Sequence, residues 1–277
     1  MFSYSHLLTN SFHSVKQQSR AMKVVVEKVL ADNYMYYVVN DHKEAYVVDL
    51  GDASKIGEVE KREDFEVKAA LITHHHWDHS AGAVDFAKEK PKAEIYGQDK
   101  ARIPNLTTEV TDKQIIQWGD IAIQCFSTPG HTTSHVCYYL QDSKNNQKAL
   151  FTGDTLFLSG CGKFFECKAS VMFNTLNRLL EVVDDETNMY FGHEYSVTNL
   201  KFAKQVDPHN KSVSEKLDEC KQLLGANKPT CPSKWSEEKL YNPFLRVTKS
   251  AIKESMEATD PIDVLEKLRE AKDNFKG

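Results

Sequence analysis

Thr73-His74-His75-His76-Trp77-Asp78-His79 places four histidines and a carboxylate within seven positions, directly after the apolar run that ends at Thr73. Imidazole and carboxylate together suit zinc, iron or manganese, and no cysteine is near enough to demand a soft thiolate site. His74 and His76, two apart in extended chain, project to the same side and can hold one ion. A turn after them lets Asp78 and His79 face a second. The competing reading is a surface loop rich in histidine by accident. The H-x-H-x-D-H spacing at the end of a buried strand is too specific for that.

Three downstream positions can complete such a site. His131 lies in Ser127-Thr128-Pro129-Gly130-His131-Thr132, Asp154 in Phe151-Thr152-Gly153-Asp154-Thr155, and His193 in Tyr190-Phe191-Gly192-His193-Glu194. Each follows an apolar run and a small residue. Taken singly, each reads as a turn residue. Taken together, they describe loops at one sheet edge delivering ligands to a common point.

The elements that must position these loops are legible as short runs. Residues 24–29, 34–39, 46–49, 68–73, 121–126, 136–140 and 148–152 read as strands. Helical stretches are expected at about 80–90 and 170–183. In the second, Phe173, Leu176, Leu179, Leu180 and Val183 recur at helical spacing. Mixed strands and helices over 22–194 imply a layered α/β domain. Beyond it the chain turns to helices and loops. Ser212-Val213-Ser214-Glu215 has the form of a capping box, opening a helix that ends at Gly225. Asp260-Pro261 opens the last helix, with Val264, Leu265, Leu268 and Phe275 as its apolar stripe. A second, smaller, all-helical domain is therefore drawn over 195–277.

Composition narrows the function classes. The chain has 277 residues, 40% hydrophobic, enough for a core. With 35 Lys and Arg against 40 Asp and Glu, its formal net charge is −5, a poor match to a nucleic-acid binder. No apolar run approaches the roughly 18 residues that span a bilayer, so no membrane partner is expected. The six cysteines form no CxxC pair and read as reduced thiols of an intracellular protein. A monomer is expected. Residues 1–26 contain no Asp or Glu, and five serines, Lys16 and Arg20 fall before Met22. Residues 1–21 therefore read as a mitochondrial transit segment or a disordered tail. Met22 is a candidate second start, which gives a cytoplasmic form, a mitochondrial matrix form, or both.

Taken with His131, Asp154 and His193, the Thr73–His79 stretch resembles the ligand set of the metallo-β-lactamase superfamily. The likeness is closer still to the glyoxalase II (hydroxyacylglutathione hydrolase) family. It extends to Phe151–Phe157, Gly160-Cys161-Gly162-Lys163-Phe164, Gly192–Tyr195, Tyr241-Asn242-Pro243-Phe244 and Leu268–Asp273, and so to nearly all of 22–277. The resemblance implies an αββα sandwich followed by a helical, glutathione-binding domain. It implies two divalent ions, zinc before iron or manganese. His74, His76 and His131 would hold one, Asp78, His79 and His193 the other, with Asp154 bridging. His75 and His135 are expected to be structural or to support the ligands. His6, His13, His42 and His209 are assigned to solvent.

The implied reaction is hydrolysis of S-D-lactoylglutathione to D-lactate and glutathione, the second step of methylglyoxal detoxification. A bridging hydroxide, oriented by Asp78 and Asp154, would be the attacking group. Lys163, Tyr195, Arg269 and Lys272 match the family's glutathione-binding positions. Phe165 stands where that family usually has Tyr, which removes one hydroxyl. On spacing alone, Arg269 and Lys272 read as a solvated basic patch on one helix face. A persulfide dioxygenase would need one iron, and Asp78, His79 and the helical domain argue for two metals. A β-lactamase or nuclease leaves the Arg269/Lys272 helix unexplained. A non-catalytic module should have lost ligands, and all seven are present.

Overall fold

The computed structural model describes residues 22–277, so the transit-segment reading of 1–21 lies outside the described residues. The first sheet runs β1 (Lys23–Val29), β2 (Asn33–Val39), β3 (Glu44–Val48), β4 (Glu66–Leu71), β5 (Glu94–Gly97) and β6 (Thr108–Glu109), in that spatial order. Between them stand helices α1 (Ile56–Glu63), α2 (Trp77–Ser80) and α3 (Ala83–Glu89). The second sheet begins β7 (Ile115–Trp118), β8 (Ile121–Ser127), β9 (Val136–Asp142), β10 (Gln147–Gly153). A ribbon of β11 (Leu156–Phe157) and β12 (Gly160–Cys161) follows, then α4 (Ala169–Val182) and β13 (Asn188–Phe191). Helices α5 (Ser196–Val206) and α6 (Lys211–Gly225) lead to β14 (Ser233–Lys234), then α7 (Trp235–Tyr241), α8 (Ser250–Ser255) and α9 (Pro261–Asp273). The second sheet is ordered β14-β13-β10-β9-β8-β7.

Alternation along β2 explains the layering. Tyr34, Tyr36 and Val38 face the second sheet and join a core that includes Tyr138, Leu140 and Phe151. Met35, Tyr37 and Val39 face the other way, into a core with Val59 of α1 and Phe86 of α3. All seven residues of β2 are buried, as a strand covered on both faces requires. On the far side of the second sheet, Met172, Leu176 and Leu179 of α4 extend the first core to α9. The layers are α, β, β, α, as expected.

The C-terminal region is helical apart from one feature. Ser233 and Lys234 form a strand, β14, paired antiparallel with Met189 and Asn188. A two-residue strand carries no periodicity, so the sequence gives no sign of it. The opening of α6 also differs. Its cap is Asn210, whose side chain accepts from the Ser212 N–H at 3.1 Å, and Ser212 lies inside the first turn. Asn and Ser cap equally well, and Asn210 is held in place by its own bond to Asp207. Gly225 ends this helix, and Asp260 caps α9 by accepting from Ile262 and Asp263.

Candidate active site

Strand direction brings the seven ligand candidates to one place. β8, β10 and β13 all run the same way, because β8 and β10 each pair antiparallel with β9 and β13 pairs parallel with β10. Their C-terminal ends open onto His131, Asp154 and His193. The end of β4 meets the same edge, where the Val136 N–H donates to the Thr73 carbonyl at 2.8 Å. The Tyr34 N–H donates to the Gly192 carbonyl at 2.9 Å and joins the two sheets on the other side. After His76 the chain makes the single turn of α2, with both His79 and Ser80 donating to the His76 carbonyl. That turn brings Asp78 within 3.3 Å of His193 Nε2 and sets the His79 ring between His74 and His193, its centre 4.2 Å from that of His74.

The donor atoms fall into three overlapping groups: His74, His76 and His131; His74, His79 and Asp154; Asp78, His79 and His193. Within each, the atoms lie within 4.8 Å of one another. His74 Nε2 and His131 Nε2 stand 3.1 and 3.0 Å from His76 Nδ1, and His79 Nε2 stands 3.1 Å from His193 Nε2. Asp154 reaches both sides. Its Oδ1 is 3.3 Å from His79, and its Oδ2 is 3.5 Å from His131 and 3.4 Å from His193. That Oδ1 is buried with no hydrogen-bond partner. A buried carboxylate oxygen left open among inward-facing imidazoles fits a cation. The donors are nitrogen and oxygen, the set preferred by divalent transition metals.

Four of the five imidazoles have their outer nitrogen engaged, which fixes ring orientation. His79 Nδ1 is 2.8 Å from Asp49, His193 Nδ1 2.8 Å from Asp32, His131 Nδ1 2.8 Å from the Lys163 carbonyl, and His74 Nδ1 3.1 Å from Thr73 Oγ1. His76 alone faces the group with Nδ1. His135 is fully buried, and its Nε2 accepts from the Asp154 N–H at 3.1 Å. Asp32, Asn33 and Asp49 belong to none of the motifs singled out in the sequence, yet they hold the ligands in place. Asn33 Nδ2 donates to Asp78 Oδ2 at 2.9 Å. Asp49, left-handed at φ 61° and buried, accepts from both the N–H and the hydroxyl of Thr73. Asp32-Asn33 reads locally as a hairpin turn, so its contact with His193, 160 residues on, has no local signal.

Burial shapes the charges. It pushes the pKa values of His74, His76 and His131 down, toward the neutral form a ligand needs. Burial opposes charge on His79 and His193 too, but Asp154 outweighs it at both, aided by Asp49 and Asp32 respectively, and holds their pKa values up. Asp154 is held well below the usual carboxylate range by His79 and His193, against the pull of burial. The same carboxylates would favour a cation held among these rings. Close approach at this point needs glycine. A Cβ on Gly192 would stand 2.4 Å from Asp154 Oδ1, and one on Gly153 2.5 Å from Thr73 Oγ1.

The expected substrate residues divide into two sets. Tyr195 stacks on His193 with ring centres 4.9 Å apart, and Phe165, largely exposed, stands edge-on to His131 at 5.2 Å. Lys163, Arg269 and Lys272 gather around Asp273. Arg269 donates to Asp273 at 2.9 Å and to the Cys161 carbonyl at 2.7 Å, and Lys163 Nζ is 3.7 Å from Asp273. Arg269 is therefore mostly buried and partly engaged within the protein, where spacing alone suggested a solvated patch. Burial, then Arg269, pushes Lys272 down to about 8. His42 and His209 are exposed, while His6 and His13 lie outside the described residues. The six cysteines are free thiols. Among the described residues, no helix is long and apolar enough to cross a membrane.

Comparison with known proteins gives the family. Residues 31–200 match the model of the metallo-beta-lactamase superfamily, and 194–275 match that of the hydroxyacylglutathione hydrolase C-terminus. A hydroxyacylglutathione hydrolase-like protein of Gallus gallus is 43% identical over 92% of this chain and 91% of its own length. The cytoplasmic hydroxyacylglutathione hydrolase of Arabidopsis thaliana is 38% identical over 92% of this chain and 100% of its own. A Staphylococcus aureus metallo-beta-lactamase structure, 22% identical, superposes with a TM-score of 0.64 over 91% of this chain and 67% of that one, which bears on the fold alone. Both halves of the chain thus find their counterparts in one kind of enzyme, and the protein belongs to the hydroxyacylglutathione hydrolase (glyoxalase II) family of metal-dependent hydrolases.

Proposed function

We propose that the protein hydrolyses S-D-lactoylglutathione to D-lactate and glutathione, as the second step of methylglyoxal detoxification. The observation that carries the reading is one carboxylate, Asp154, set between two histidine groups, with Lys163 of the loop after the ribbon and Arg269 and Lys272 of α9 gathered beside them. In this reading His74, His76 and His131 hold one divalent ion and Asp78, His79 and His193 the other, with Asp154 shared. Zinc suits this donor set best, and iron or manganese also fit. Bound there, two such ions supply hydroxide near neutral pH and polarise a thioester carbonyl. Asp78, held by Asn33, orients the attacking oxygen. The leaving thiolate has a conjugate-acid pKa of about 8.5, so the chain needs no dedicated acid to release it. Lys163, Arg269 and Lys272 bind a substrate carboxylate, and the Tyr195 hydroxyl and the Phe165 ring line the approach.

Turnover of S-D-lactoylglutathione by the purified protein, with metal analysis of the same sample, tests this directly. The expected result is hydrolysis with two ions per chain. Asp154→Ala should lose both ions and lower kcat by a factor on the order of a thousand. Absence of thioester hydrolysis by the fully loaded protein, or two retained ions and full activity in Asp154→Ala, would overturn it.

A further inference from the structure

Outside the ligand groups, the densest polar contacts of the cleft converge on Arg102, in the loop after β5. Its Nη1 donates to Glu166 Oε1 at 2.6 Å and lies 3.3 Å from His75 Nε2. Its Nη2 donates to the hydroxyls of Thr133 and Ser134 at 3.1 and 3.0 Å, and its Nε donates to Asp99. Glu166 in turn accepts from the Thr133 N–H at 2.7 Å and from the Thr133 hydroxyl at 2.9 Å. Ser134 closes the network onto Asp99 at 2.8 Å. One guanidinium thus touches three other loops: the one that carries His74 and His76, the one that carries His131, and the one that carries Lys163 and Phe165.

Those loops also meet on their inner side. The Lys163 carbonyl receives His131 Nδ1, and the Phe165 ring packs edge-on to His131 at 5.2 Å and His76 at 5.7 Å. Arg102 and Glu166 hydrogen-bond to His75, Thr133, Ser134, Asp99 and each other, and not to the inward nitrogens of His74, His76 or His131; they grip the same loops from outside. An isolated surface ion pair would contribute little, but here planar donors and both carboxylate oxygens are committed to several fixed partners. Lysine could not reproduce that fork.

We propose that Arg102 and Glu166 are a positioning pair: a clip that fixes the Lys163–Phe165 wall of the cleft against His76 and His131, and so sets both substrate affinity and the hold on the ion at that side. The inference deepens the thioester-hydrolase reading and rests on it for the identity of the substrate. Arg102 touches no reacting atom. Its loss should therefore act through the wall, on binding more than on the chemical step.

The test uses the metal-loaded protein and the variants Arg102→Met, Arg102→Lys, Glu166→Gln and the Arg102→Met/Glu166→Gln double. Two readouts are taken: KM and kcat for S-D-lactoylglutathione, and the rates at which a chelator strips the two ions. Arg102→Met should raise KM about tenfold with kcat within roughly twofold. It should speed loss of one ion about tenfold and leave the other unchanged. Glu166→Gln should behave alike, Arg102→Lys should fall between, and the double should be no worse than Arg102→Met. If Arg102→Met does not fold, Glu166→Gln carries both readouts. Should the wild type fail to hydrolyse the thioester, the substrate reading falls, and ion release still decides the clip. Unchanged KM and unchanged release in the single variants, or a double variant whose effect is the product of the two, would overturn it.

Discussion

Lys272 shows how a single residue sets a measurable pH dependence. Its ammonium lies 5.7 and 5.3 Å from the ring centres of Phe202 and Phe275, half withdrawn from water and beside Arg269. Burial first and Arg269 second lower its pKa to about 8, so the charge is present at neutral pH and lost as pH rises through that value. If Lys272 binds a substrate carboxylate, kcat/KM should fall on the alkaline side, by roughly tenfold between about pH 7 and about pH 9. Lys272→Arg keeps its charge throughout and should lose this alkaline limb. An identical limb in wild type and Lys272→Arg would assign the titration to another group.

At the scale of elements, Glu238 of α7 is the fastening between the ribbon and the C-terminal helices. It is fully buried; its Oε2 accepts from the Ser159 N–H at 3.0 Å and from Asn242 Nδ2 at 3.1 Å, and its Oε1 from the Tyr241 hydroxyl at 2.9 Å. Burial outweighs these donors and raises its pKa to about 7. Glu238→Ala strands several buried donors and should cost about 2–4 kcal/mol in urea or thermal unfolding. With the folded pKa raised above the unfolded one, the carboxyl's contribution is full below the unfolded value and is lost as pH climbs through about 7. Glu238→Gln should flatten that decline. An Ala variant as stable as wild type would show that the fastening lies elsewhere. None of this is legible in Glu237-Glu238, which reads as an ordinary helix surface. The contrast with the metal groups is physical. Ligands sit where apolar runs stop, as Gly153-Asp154 and Gly192-His193 do, and that punctuation is local. The residues that aim them, Asp32, Asp49 and Arg102, act across the fold, and their partners are set by strand order rather than by spacing. The same limit hid short β5 and β7, whose four residues each give too little alternation to count.

For the whole molecule, the question is whether the helical region is a separable unit, as a boundary near residue 194 suggests. The packing argues against it. Trp235, fully buried, follows β14, and its backbone N–H donates to the Thr187 carbonyl at 2.9 Å, so the helical region completes the second sheet. Glu194 accepts from the N–H and the hydroxyl of Thr230. Leu200, Phe202, Phe244, Val264, Leu265 and Leu268 share one continuous core with both sheets and with Met172, Leu176 and Leu179 of α4. A chain of residues 22–194 would keep all seven ligand candidates and lose the cover that α9 and the turn Pro243–Leu245 give to α4. Exposing that contiguous apolar face should remove much of the roughly 5–15 kcal/mol by which a domain is stable. The fragment should therefore show no cooperative urea transition, should bind a hydrophobic dye, and should retain no tightly held ion, since a loosened sheet edge no longer brings β4, β8, β10 and β13 to one point. A fragment that melts cooperatively and holds two ions would make the sandwich self-sufficient, and the helical region would then serve the substrate alone.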